Sequence, residues 1–155
     1  ASPLERTKET AEVLARQFGL NVQFAEDIGE VHYGEWTGRT ASELTRDPQW
    51  HEYLSSRSSY RIPGGETAVE VQTRIVGFLR DVRERFPEGH VALVSHGDPI
   101  KTAVMHYLGM NLDMFQRLEI SPASVTIIRD VRNGPRPARI LALNTFDVSL
   151  SRYQE

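Results

Sequence analysis

Three residue types at three places could do chemistry in this chain. The first is His96. The nearly continuous apolar run His90-Val91-Ala92-Leu93-Val94-Ser95 breaks at His96-Gly97-Asp98-Pro99 and passes into a helix. In open α/β sheets, ligands collect beyond the carboxyl ends of strands. The amides that open the following helix favour an anion such as phosphate, and Gly97 lets the backbone turn closely there. A histidine that merely ends a strand is the plainer alternative. The second is Arg6, in the first turn of the opening helix, where a cation opposes the helix dipole. An anion shared by the guanidinium and the helix amides would offset that conflict; a solvated arginine is the alternative. The third is a carboxylate, Glu30 or Glu35, flanking His32-Tyr33-Gly34 on a loop rich in glycine and aromatics. Such a group can act as a general acid with a raised pKa, or be ordinary surface charge.

Other chemistries fit less well. Ser95-His96-Asp98 is not a hydrolase triad. The G-x-S-x-G elbow is half absent, since Leu93 stands two before the serine, and neighbouring side chains on a strand point to opposite faces. The 5 histidines (His32, His51, His90, His96 and His106) show no paired metal-ligand spacing, so no metal is expected. With 0 cysteines, disulfides, thiolate metal sites and cysteine nucleophiles are excluded.

These groups need elements to hold them. Ser2-Pro3-Leu4-Glu5 reads as a capping box that opens a helix. Its stripe is Leu4, Thr7, Ala11, Leu14 and Phe18, and Gly19 closes it. A short extended piece, Val22 to Phe24, leads to the loop 27–40. Helices follow from Thr40 through Leu44 and from Pro48 to Leu54. The polar loop 57–65 ends in Pro63-Gly64-Gly65. A long amphipathic helix spans Glu66 to Phe86, with Val71, Ile75, Phe78, Leu79, Val82 and Phe86 on one face. The run before His96 reads as a buried, parallel strand, and the helix after it ends at Leu108-Gly109. Strands are expected at Ser124 to Val131 and Arg139 to Leu143, with Asn133-Gly134 as a hairpin signal. The expected fold class is α/β, a three-layer α/β/α sandwich with a mostly parallel mixed sheet. The expected tail after Asp147 is polar and frayed.

The chain has 155 residues, the length of one domain, here taken as 1–155. Its 39% hydrophobic and 25% charged residues describe an ordinary globular domain rather than a disordered one. The net charge of -3 argues against nucleic acid as a partner. No apolar run is long enough to span a membrane, and a cytoplasmic setting is the default. Of the 18 basic residues only Lys8 and Lys101 are lysines, a skew given little weight.

Taken in order, four segments resemble the histidine phosphatase superfamily, also called phosphoglycerate-mutase-like. Ser2-Pro3-Leu4-Glu5-Arg6-Thr7-Lys8-Glu9-Thr10-Ala11 is similar to its second-arginine segment. Glu30-Val31-His32-Tyr33-Gly34-Glu35-Trp36-Thr37-Gly38 is similar to its acid loop. Pro63-Gly64-Gly65-Glu66-Thr67 resembles the start of its long helix, and Leu93-Val94-Ser95-His96-Gly97 its second-histidine strand. The short stretch from Gly38 to Gly65 resembles the phosphatase branch, while His32-Tyr33 echoes the mutases.

The resemblance implies a phosphomonoester hydrolase that works through a phosphohistidine and needs no cofactor. Arg6 would grip phosphoryl oxygens, His96 would stabilise charge growing on them, and Glu30 would serve as the acid and then the base. Arg6, Tyr33, Trp36, Gly97 and Arg61 are the substrate-binding candidates. Arg57 and Arg61 could take a substrate carboxylate or a second phosphate, and Trp36, Trp50 and Tyr60 could form an apolar wall; loop charge and core packing are the respective alternatives. The family's Arg-His-Gly segment, on a central first strand, does not occur in this sequence. The expectation is an N-terminally incomplete domain whose 155 residues alone lack phosphatase activity. The expected partner is a small phosphorylated substrate, and a homodimer is one candidate assembly. Two other functions stay open: mutase-type transfer, and a non-catalytic relative that binds anions. A purely structural domain would leave Arg6, Glu30 and His96 apart in space.

Overall fold

Local chemistry sets most helix ends. In the computed structural model, which describes residues 1–130 and 137–146, Thr40 caps helix α2 (Ala41–Leu44) and Thr67 caps α4 (Ala68–Arg85). Each is a reciprocal box: the threonine hydroxyl accepts from the third amide, and Glu43 or Glu70 reaches back to the capping amide. Asp47 caps α3 (Pro48–Ser55), with proline at the first position, where a missing N–H costs nothing. Gly19 at φ 64° ends α1 (Glu5–Phe18), and Gly109 at φ 62° ends α5 (Gly97–Leu108).

The start of α1 departs from expectation. Leu4, not Ser2, is the capping residue, and it offers no side-chain cap. The Ser2 hydroxyl is drawn away by a tertiary contact with His96. The apolar stripe is also buried at one end only. Thr7 and Ala11 are buried, while Leu14 and Phe18 are 43% and 72% exposed.

Three apolar clusters join the elements. Val31, Trp36, Tyr53, Ile62 and Val71 unite the acid loop, α3 and α4. Ile28, Ile75, Val76 and Ala103 pack that loop and α4 against α5. Ala68, Met105, Leu112 and Phe115 close the other end. Helix α5 is central, with Val104 and Met105 at 0% exposure. Each such side chain contributes roughly 1.5–3 kcal/mol.

The sheet is smaller than expected. Strands β1 (Val125–Arg129) and β2 (Arg139–Thr145) pair antiparallel, and the register shifts twice. Asn144 sits at φ 51°, and its side-chain oxygen accepts from the Ser121 amide at 2.7 Å. The expected parallel strand at 90–95 is not part of a ladder among the described residues, and Val91 is 43% exposed. An apolar run supplies burial tendency, but a strand exists only where a neighbour offers its backbone. Val94 carbonyl instead accepts a single bond from the Ser2 amide at 2.9 Å. Residues 22–24 are likewise outside any strand. The hairpin signal Asn133-Gly134, the strand end at Val131 and the tail after Asp147 fall outside the described residues. No helix among the described residues is long and apolar enough to cross a membrane.

Candidate active site

The acid loop is held from below by one side chain. Arg74 on α4 donates to the carbonyls of Asp27, Gly29 and Glu30 at 2.8–3.0 Å and forks onto both oxygens of Glu66. Glu66 in turn accepts from the His32 amide at 2.9 Å. A planar guanidinium can satisfy five acceptors at once, which a lysine cannot. Hydrogen bonds zip the loop onto 63–66: Glu35 amide to Pro63 carbonyl at 2.9 Å, and Glu66 amide to His32 carbonyl at 3.0 Å. Two glycines permit this approach. A Cβ on Gly34, which sits at φ 50°, would collide with the Pro63 carbonyl, and one on Gly65 with the His32 carbonyl.

On that platform Arg6, Glu30 and His96 converge from three separate elements. Arg6 Nη2 is 3.5 Å from Glu30 Oε2, and His96 Nδ1 is 3.8 Å from the same oxygen. His96 caps the start of α5, and Gly97 is its first residue. The Arg6 side chain is 61% exposed and the His96 side chain 3%, so the cluster is a buried imidazole beneath a cation at the solvent edge.

Burial dominates the electrostatics. It raises the Glu30 carboxyl above its ordinary range; the Val31 amide, which donates to Glu30 Oε1 at 3.0 Å, opposes this, and the Asp98 charge adds to it. Burial, helped by the Arg6 and Arg74 cations, lowers His96 to about 4. The site therefore pairs a neutral imidazole with a carboxyl that holds its proton more tightly than usual.

A second layer lies alongside. Asp98 Oδ2 accepts from Tyr33 hydroxyl at 3.0 Å and from Arg57 Nη1 at 2.9 Å. Arg57 is buried, its guanidinium 3.7 Å from the Phe115 ring centre and 4.3 Å from that of Tyr53. Burial foremost, with the Asp98 charge, keeps the Tyr33 phenol protonated.

Arg6, Glu30 and His96 thus meet, and Tyr33 and Gly97 lie next to them through Asp98 and His96. Trp36 and Arg61 do not join them. Trp36 is 3% exposed among Trp50, Tyr53 and Tyr60, with ring centres 5.4–6.2 Å away. It is core rather than a substrate wall, because a large ring gains more from packing than from lining a wet site. Arg61 is committed to Glu70 at 2.5 Å and to the Gly65 carbonyl at 3.0 Å. Glu35 contributes its amide to the loop rather than its carboxyl to the cluster. Sequence reasoning read Ser2 only as a helix cap and Asp98 only as a rejected triad member, and it passed over Arg74 and the buried role of Arg57. Arg74 sits among several arginines on one amphipathic helix, and nothing in its spacing marks it.

Comparison with known proteins identifies the family and the fold. The profile of the histidine phosphatase superfamily (branch 1) matches residues 1–142. Phosphoserine phosphatase 1 of Hydrogenobacter thermophilus is 31% identical over 130 residues, 83% of this chain and 62% of that protein. A Salmonella newport protein called a probable phosphoglycerate mutase is 32% identical over 131 residues, 83% of this chain and 60% of that protein. Among solved structures, Bacillus stearothermophilus YhfR superposes with a TM-score of 0.83 at 26% identity, covering 92% of this chain and 71% of that one. The chain spans 39% to 62% of the length of the first curated relatives it matches. The four ordered segments, the converging Arg6, Glu30 and His96, and the α/β fold shared with these structures lead to one conclusion: the chain belongs to the histidine phosphatase superfamily, branch 1.

Proposed function

We propose that the protein carrying this chain hydrolyses small phosphomonoesters through a phosphohistidine. The supporting observation is the meeting of Arg6, Glu30 and a neutral His96 within 3.8 Å of one carboxylate oxygen. Arg6 binds phosphoryl oxygens. His96 donates a ring N–H to them, aided by the first amides of α5. In the first step a histidine nitrogen attacks phosphorus, the P–O bond to the alcohol breaks, and Glu30 gives its proton to the leaving oxygen. In the second, a water oxygen attacks phosphorus, the P–N bond breaks, and the Glu30 carboxylate takes the water proton. The nucleophile belongs to the Arg-His-Gly segment of the family pattern, so the proposal concerns a polypeptide that carries both parts. The domain 1–155 supplies the acid, the second histidine and one arginine.

Transfer to a second hydroxyl, as in a mutase, would need further cations for a second acidic group. Arg61 and Arg57 are the candidates, and both are already paired, with Glu70 and Asp98. Hydrolysis is the reading this favours. The name of the phosphoserine phosphatase relative makes phosphoserine a sensible first substrate. The test is turnover by the protein made from its native gene on phosphoserine and 3-phosphoglycerate. Release of inorganic phosphate that falls with His96→Ala and Arg6→Ala supports the proposal; release unchanged by His96→Ala overturns it. Phosphate binding without release would favour the anion-binding relative.

A further inference from the structure

Ser2 is fully buried, and its hydroxyl lies 2.8 Å from His96 Nε2 across 94 residues of sequence. With Glu30 on the Nδ1 side of the ring, serine, histidine and carboxylate are arranged like a hydrolase triad. Burial decides against that reading, since an oxygen at 0% exposure meets no ester. The hydroxyl serves the ring instead. Resting on the phosphoryl-transfer reading above, we propose that Ser2 is a positioning residue that fixes the tautomer of His96, placing the proton on Nδ1 so that this N–H faces Glu30 and the phosphoryl group.

The proton count carries the argument. A hydroxyl has one donor and can accept. The Leu4 amide donates into Ser2 Oγ, at 3.4 Å. The Ser2 hydrogen then has one acceptor within hydrogen-bond reach among the described residues, the Nε2 lone pair. If Nε2 carried the proton instead, two N–H groups would point at one oxygen and the buried hydroxyl hydrogen would be stranded. Which nitrogen of a neutral imidazole is protonated follows from the bond the other nitrogen makes. Ser2 itself is pinned on both sides. Its amide donates to the Val94 carbonyl at 2.9 Å, two residues before His96, and its carbonyl accepts from the Thr7 hydroxyl at 3.0 Å. One residue thereby ties the Val94 carbonyl to the His96 ring. The proton on Nδ1 can be donated to an anion, whereas a bare lone pair there would repel it.

Ring nitrogen shifts of His96 in nitrogen-15 NMR report the tautomer directly. Near neutral pH, the 155-residue chain should show His96 protonated on Nδ1. Ser2→Ala should give a mixture or the opposite tautomer, with the remaining resonances in place, and Ser2→Thr, which keeps the hydroxyl, should restore the first pattern. His96 protonated on Nε2 in the unaltered chain overturns the inference even if Ser2→Ala does not fold, and so does an unchanged tautomer in a folded Ser2→Ala. Titration with inorganic phosphate separates this from the functional proposal. Nδ1 protonation with no phosphate response would sink the phosphoryl site and leave the tautomer assignment standing. With both correct, Ser2→Ala weakens phosphate binding about tenfold while Ser2→Thr does not.

Discussion

At the scale of single residues, the site works by shifting two groups in opposite senses. Glu30 is held above its ordinary range by burial, so it gives up its proton less readily than an exposed carboxyl. Glu30→Gln keeps the shape and removes the exchangeable proton. It should cut turnover about 10²–10⁴-fold, while unfolding in urea shows the protein about 1 kcal/mol more stable near neutral pH, because a poorly solvated charge is gone. A variant that is both inactive and less stable would contradict the burial argument. His96 is lowered from its ordinary 6.5 to about 4. The folded state then binds fewer protons than the unfolded chain between those values, so the stabilisation is complete above pH 6.5 and lost as pH falls toward 4. Water at the open Arg6 edge reduces the full linkage, leaving a loss of about 1–2 kcal/mol. Unfolding measured across that range should lose this slope in His96→Phe; an identical slope would place the proton uptake elsewhere. Arg6, Glu30 and His96 were legible in the sequence because each sits at a backbone feature that an anion site uses: the first turn of a helix, a glycine-rich loop, and the turn from an apolar run into a helix. Ser2 was misread because Ser-x-x-Glu suits a capping box equally well, and only folding brings His96 to its hydroxyl.

At the scale of elements, the acid loop depends on α4. Arg74→Met leaves Glu66 without its cation and three loop carbonyls without donors. The cost should be about 3 kcal/mol, read by urea unfolding, and Arg74→Lys should recover less than half of it because it lacks the fork. A cost below about 1 kcal/mol, the value of an exposed pair, would show that the loop stands by itself. Helices α2 to α5 were readable from caps, proline and stripes, because helical signals are local. The extended runs at 22–24 and 90–95 were not settled in the same way, since a strand is completed by a neighbour distant in sequence. Trp36 illustrates a different limit. An aromatic beside an acid loop can serve substrate or core, and only the positions of Trp50, Tyr53 and Tyr60 decide for core.

At the scale of the whole molecule, several large apolar side chains are exposed on one helix and the segment after it. Val13, Phe18, Leu20 and Phe24 are 50–72% exposed, and Val91 43%. Such side chains on α1 and on an extended run without a ladder drive association. Light scattering should show the 155-residue chain growing in mass with concentration, and Phe18→Ser with Leu20→Ser should reduce that growth. A monomer at every concentration would mean that these side chains are too scattered to form a contact. The central claim, that Arg6, Glu30 and His96 serve phosphoryl transfer through histidine, has one most direct measurement. The protein made from its native gene is mixed with a radiolabelled phosphomonoester, quenched, and the label on the polypeptide is characterised. The account predicts a label stable in alkali and lost in acid, as a phosphorus–nitrogen bond requires. A label that survives acid, or hydrolysis that proceeds unaltered in His96→Ala, would contradict it.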